Sequence, residues 1–171
     1  MTYPPVDIVD EHDKIIGSAM MAEVWAEGHR HRGVCIVIQN DREDILLQKR
    51  APSMLLYPGC WDISAAGHVD TGMTYEEAAQ TELREELAML NAELKFVKKY
   101  YVETFSNNRQ NKRFISLYRM RSNETTRSLG RDEVSEVRWF SPAEIEELLE
   151  KYSDQTADSL RHVYPQLINL K

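Results

Sequence analysis

The stretch Gly67-His68-Val69-Asp70-Thr71-Gly72-Met73-Thr74-Tyr75-Glu76-Glu77-Ala78-Ala79-Gln80-Thr81-Glu82-Leu83-Arg84-Glu85-Glu86-Leu87 joins a glycine-bounded loop to an amphipathic run. Thr74 is a good N-cap, and Glu76 and Glu77 stand in the first turn, where the helix dipole favours acid. The spacing predicts a helix from Thr74 to Met89. At about 100° per residue, Glu82, Glu85 and Glu86 share one arc, while Ala79, Leu83, Leu87 and Leu90 share the next. An apolar stripe for the core thus runs beside a ridge of three carboxylates. Carboxylates at i, i+3 and i+4 repel one another. A hard divalent cation relieves that repulsion, and Mg2+ or Mn2+ suits a few carboxylates combined with phosphate oxygens of a substrate. The glycine loop adds backbone groups that can face a metal or a phosphate. Spacing by itself leaves an alternative, a solvated acidic face paired with Arg84 and nearby lysines.

Outward from this helix the chain mixes strands and helices without strict alternation. Val6 to Val9 and Lys14 to Gly17 flank a polar turn and read as an N-terminal hairpin, about residues 5–18. One or two helical turns follow from Met20 to Glu27. Gly33-Val34-Cys35-Ile36-Val37-Ile38 is continuously apolar, as in a strand buried on both faces. Ile45 to Arg50 is the return strand, Ala51 to Gly59 a loop, and Trp61 to Ala66 a short strand. Phe96 to Phe105 and Arg113 to Met120 read as strands around a turn at Ser106 to Asn111, with another strand at Val134 to Phe140. Ser141-Pro142-Ala143-Glu144 starts a helix through Glu150. A last helix, Asp158 to Leu170, is bent or broken near Pro165. The reading is α+β, a mixed sheet covered by helices, in a single domain over residues 1–171.

The 171 residues carry a net charge of -7, which argues against non-specific grip on nucleic acid or an anionic membrane. A small anionic ligand is still compatible, because a divalent metal reverses the local sign. The N-terminus lacks a basic leader region, no apolar run is long enough to span a bilayer, and Cys35 and Cys60 make no disulfide framework. The expected compartment is the cytoplasm. The hairpin could pair across a homodimer.

At Gly67 to Met89 the sequence resembles the Nudix box. That pattern is a Gly, five residues, a Glu, seven residues, then Arg-Glu-apolar-any-Glu-Glu-any-Gly-apolar. Gly67, Glu82, Leu83, Glu85, Glu86 and Met89 stand at their positions. Met73, Thr81 and Ala88 depart, standing where the first Glu, the Arg and the last Gly belong. The resemblance implies a Nudix fold, a mixed sheet sandwiched between helices. It also implies metal held by Glu82, Glu85, Glu86 and Gly67, with the support normally given by the first Glu and the Arg weakened. Asp7-Ile8-Val9-Asp10, Pro58 to Asp62, Ala65 to His68 and Asp132 to Phe140 are similar to the branch that holds isopentenyl-diphosphate isomerases and their hydrolase relatives.

The isomerases need a Cys just before the Gly-His pair, where this chain has Ala66, and their later acids should fall near Asn111 to Arg113, where none stands. His31 and His68 fall near isomerase metal histidines. The expected activity is therefore metal-dependent hydrolysis of a diphosphate joined to another group, with nucleoside diphosphates or their derivatives first among substrates. A non-catalytic binding module is the main alternative and an isomerase a lesser one. Glu85, Glu86 and Glu133 are the catalytic candidates, with Asp132, Glu136 and Glu103 competing for Glu133's part as base. Arg50, Lys49 and His68 are the candidates for holding substrate. Trp61, Tyr57 and Trp139 read as packing residues.

Overall fold

The computed structural model describes residues 4–106, 109–126, 129–130 and 132–168. Chain order is β1 (Pro5–Val9), β2 (Ile15–Met20), α1 (Met21–Glu27), β3 (Arg30–Gln39), β4 (Ile45–Arg50), β5 (Trp61–Asp62) and β6 (Ala65–His68). Then come α2 (Tyr75–Leu87), β7 (Lys95–Ser106), β8 (Arg109–Arg121), β9 (Val134–Phe140), α3 (Pro142–Lys151) and α4 (Asp158–Ile168). Among these, β3 to β9 form one mixed sheet in which β3 pairs parallel with β8 and antiparallel with β4 and β6.

The apolar run of β3 is explained by the layers on either side of it. Successive side chains of a strand point to opposite faces. Val34, Ile36 and Ile38 meet Ala79, Leu83 and Leu87 of α2, whereas Cys35 and Val37 meet Ile145 of α3 and Leu160 and Val163 of α4. β4 divides likewise, with Leu46 on the α2 side and Ile45 and Leu47 on the other. The expected helix-covered mixed sheet is what the chain forms.

β1 and β2 form the expected hairpin, with β2 running on to Met20. With α1 it buries a small cluster of Val6, Ala19, Met21 and Val24. The hairpin is fastened to the loop before α2. Thr71 N donates to Pro5 O at 2.9 Å, and its turn residue Asp13 accepts from Arg32 at 2.6 Å and from the Tyr75 hydroxyl at 3.1 Å.

Several boundaries differ from the sequence reading. Trp61 to Ala66 is two short strands, because Asp62 ends pairing with β4 and Ala65 begins pairing with β3. β7 and β8 reach Ser106 and Arg109, so the turn expected at 106–111 is shorter, and its residues 107–108 lie outside the described ones. α4 passes through Pro165 without a break up to Ile168, and the expected end at Leu170 lies outside the described residues.

α2 starts as read, with a reciprocal capping box between Thr74 and Glu77. It stops two residues early. Ala88 turns the chain at φ 51°, in the left-handed region, so Leu90 lies off the apolar stripe and is 68% exposed. A left-handed alanine costs about 1 kcal/mol that glycine avoids. Ala88→Gly should therefore stabilise the protein by about 0.5–1 kcal/mol, read as a higher urea midpoint at unchanged slope.

Candidate functional site

A cavity of about 370 Å³ opens between α2, β6, the start of β8, the loop after Arg50 and Glu133. Asp70, Glu82, Glu85, Glu86 and Glu133 line it. Arg50 with its partner Asp62, His68, Asn111 and Arg113 line it as well.

The three carboxylates of α2 have different surroundings. Glu86 is only 3% exposed and accepts from Gln48 Nε2 at 3.0 Å and from the Ala66 amide at 3.1 Å. Glu82 is half-buried against Gly67, and a Cβ built at Gly67 would fall on the Glu82 carboxylate. Glu85 is exposed at the rim, 3.5 Å from Arg84. Pairing with Arg84 thus accounts for Glu85, while Glu82 and Glu86 pair with no Lys or Arg among the described residues. Burial, together with the charges of Glu133, Glu85 and Asp70, pushes the Glu82 carboxyl up to about 8. Burial, with Glu82 beside it, holds Glu86 well above the usual carboxylate range. Burial also raises Glu133, against the pull of Arg50.

Buried carboxylates that resist ionisation beside one another form a set of hard oxygen donors short of positive charge, which suits Mg2+ or Mn2+. Glycine at position 67 is what lets the Glu82 carboxylate lie against the β6 backbone. Gly67→Ala should displace that carboxylate with little effect on the fold, since only the end of a flexible side chain must move. The expected result is a loss of about tenfold or more in Mn2+ affinity, measured by electron paramagnetic resonance, at a nearly unchanged melting temperature.

Among the described residues, the one set of three metal-ligating groups with atoms within 4.8 Å of one another is Glu23, Glu27 and His29, outside this cavity. Glu23 and Glu27 are exposed there, and His29 pairs with Glu27 at 2.9 Å. Glu82, Glu85 and Glu86 do not all come within that distance of one another.

The remaining expected site residues divide by strand face. Gln48 and Arg50 follow Leu46 on the α2 side of β4. Arg50 reaches the cavity, where it is bonded to Asp62 (3.1 Å) and to the Leu56 carbonyl (2.9 Å). Lys49 points to the opposite side, 5.5 Å over the Trp61 ring, and does not line the cavity. Strand alternation thus sets Lys49, expected to hold substrate, on the face away from Arg50. His68 lines the cavity and stacks near His31 and Trp25, and burial, with Arg113 and Arg50, pulls it down to about 3. It is a neutral imidazole at ordinary pH. Of the four candidates for base, Glu133 is the one that lines the cavity. Glu136 lies on β9 opposite Lys49, Glu103 accepts from the Tyr101 hydroxyl at 2.6 Å, and Asp132 is exposed. Tyr57 joins the cavity lining, whereas Trp61 packs on Phe140 (4.8 Å) and Trp139 joins the α2-side core. Met73 and Thr81 line the cavity together.

Sequence reasoning passed over Gln48, Asp70 and Gly130. Gln48 carried a signal, being a polar residue on the same face as Leu46 in a strand expected to be buried. Gly130 is a loop residue whose part appears only in three dimensions. Its N–H donates to the Glu86 carbonyl at 2.9 Å, and its own carbonyl accepts from Glu133 N at 2.9 Å. It ties Glu133 to the end of α2.

The family model described as NUDIX domain matches residues 29–163. A Nudix hydrolase of Pseudomonas aeruginosa is 33% identical over 134 residues, 78% of this chain and 76% of that protein. Isopentenyl-diphosphate Delta-isomerase 2 of Photorhabdus laumondii is 30% identical over 148 residues, 86% of this chain and 82% of that protein. In fold, the chain is similar to the crystal structure of DR0079 from Deinococcus radiodurans, with a TM-score of 0.78 at 22% identity over 95% of this chain and 98% of that one.

Proposed function

The chain belongs to the NUDIX domain family, and from that premise we propose that it is a metal-dependent pyrophosphohydrolase. Its substrate is a diphosphate joined to another moiety, with nucleoside diphosphates and their derivatives as the leading class. The observation that carries this reading is the pair of half-buried Glu82 and buried Glu86, neither paired with a Lys or Arg among the described residues, in a cavity that Arg50 and Arg113 also line.

Glu82, Glu85, Glu86 and the Gly67 carbonyl would hold Mg2+ or Mn2+. When bound, such an ion supplies charge neutralisation for the diphosphate and acidifies a water for attack on phosphorus. Gln48 and the Ala66 amide fix the Glu86 carboxylate, so its lone pairs are already oriented. Arg50, pinned by Asp62, presents its remaining guanidinium N–H groups to a phosphate oxygen. Glu133 accepts the proton of the attacking water. Its raised pKa brings its basicity closer to neutral pH, where general bases work best. Neutral His68 donates or accepts a hydrogen bond without adding charge.

The isomerase among the relatives motivates a second measurement. Proton transfer at carbon needs an acid–base group at the reacting atoms. Ala66 offers a methyl group, and neither Cys35 nor Cys60 lines the cavity. The test is a phosphate-release screen over a diphosphate panel with Mg2+ or Mn2+, paired with NMR of isopentenyl diphosphate in deuterated water. The expected result is metal-dependent release from at least one diphosphate and no deuterium uptake. Silence across the whole panel would favour a binding module, and deuterium uptake an isomerase.

A further inference from the structure

Among the described residues, three arginines line the cavity. Arg50, held by Asp62 and the Leu56 carbonyl, is already assigned to the diphosphate, and Arg84 pairs with Glu85. The Arg113 side chain makes no hydrogen bond or ion pair with the described residues, and its Nε is buried without a partner. Two residues away on the same face of β8, Asn111 also lines the cavity, and its Oδ1 is buried without a partner. Across the parallel register from Arg113, His31 is fully buried with neither ring nitrogen hydrogen-bonded.

Native proteins bond nearly all such atoms, and a cluster of orphans beside an open cavity marks a place completed by something from outside. The cluster contains a guanidinium, which disfavours a second cation next to His31 and His68 even though their rings stand 5.1 Å apart. It therefore suits an anion. A guanidinium presents a planar fork of donors that matches phosphate or carboxylate. The Asn111 oxygen adds an acceptor beside it.

We propose that Arg113 and Asn111 form a specificity site for the part of the substrate beyond the scissile diphosphate. Arg113 holds a phosphate or carboxylate on that part, and Asn111 accepts from a neighbouring hydroxyl. The preferred substrates are diphosphates whose second half carries its own oxyanion. This rests on the hydrolase reading above, and it concerns residues of β8 rather than the carboxylates of α2, so the two can be tested apart.

The first arm is metal-free. The full chain in EDTA is titrated calorimetrically with inorganic phosphate. Arg113→Gln should weaken binding about tenfold or more, the scale of one lost charge-assisted hydrogen bond. Arg113→Lys keeps the charge without the fork, so it should fall between the two, and it still reads the site if the Gln variant unfolds. Mn2+ affinity should be equal in all three proteins. Unchanged phosphate affinity in both variants overturns the proposal. The second arm compares hydrolysis of two diphosphates that differ only by a phosphate on the second half. Wild type should prefer the phosphorylated one, and Arg113→Gln should lose that preference through KM. Loss of inorganic phosphate binding with the preference intact would assign the site to a free anion and overturn the substrate role. Wild type that binds phosphate through Arg113 but hydrolyses no diphosphate sinks the hydrolase reading, and the substrate role with it.

Discussion

Glu86→Gln should lower turnover by about a hundredfold or more, the scale on which one preorganised charged group counts in a transition state. The same variant should be no less stable than its parent without metal. Glu86 is buried and its carboxyl is held well above the usual range, so its ionisation opposes folding. The stabilisation of its protonated form is present below the ordinary carboxylate range and is lost as pH rises through the raised value. An amide is neutral at every pH, and its carbonyl oxygen can still accept from Gln48 and the Ala66 amide. Metal-free Glu86→Gln should therefore unfold at the same or higher urea concentration than wild type, with the gap widening toward alkaline pH. Loss of activity together with loss of stability would mean that Glu86 serves the core rather than a metal.

Gly130→Ala should produce the largest loss of stability, about 2–3 kcal/mol. A Cβ at this position would fall on the Glu85 carbonyl oxygen and lie within 3.3 Å of the Glu86 Cα. Both are backbone atoms of a helix that is itself packed on the sheet, so neither can yield cheaply. The loop must instead retreat from α2, which breaks the bond from Gly130 N to the Glu86 carbonyl and withdraws Glu133 from the cavity. Activity should fall further than the folded fraction accounts for. An alanine variant with wild-type melting and wild-type turnover would show that this loop does not position Glu133.

These two residues mark what the sequence revealed and what it withheld. Glu86 was legible because helical periodicity sets three carboxylates beside an apolar stripe, and Ala79, Leu83 and Leu87 do face the sheet. The β3 run was legible for the same kind of reason, since a strand apolar on both faces needs a layer on each side. Periodicity also separates Lys49 from Arg50: the two are neighbours in sequence and therefore opposites across the strand. Leu90 was misplaced because the end of α2 depends on a left-handed Ala88, a conformation that an alanine does not announce. Gly130 and Arg113 were out of reach. The need for glycine at 130 is created by a helix some forty residues earlier, and the isolation of Arg113 is visible only once every carboxylate has been seen to lie elsewhere.

The most direct measurement follows bound Mn2+ and phosphate release in the same samples, by electron paramagnetic resonance and a colorimetric assay, for wild type and Glu86→Gln. Turnover in wild type should rise in proportion to Mn2+ bound, and the variant should lose both together. Turnover without bound metal, or a variant that binds Mn2+ and turns over like wild type, would contradict the assignment of this carboxylate wall as the metal centre of a pyrophosphohydrolase.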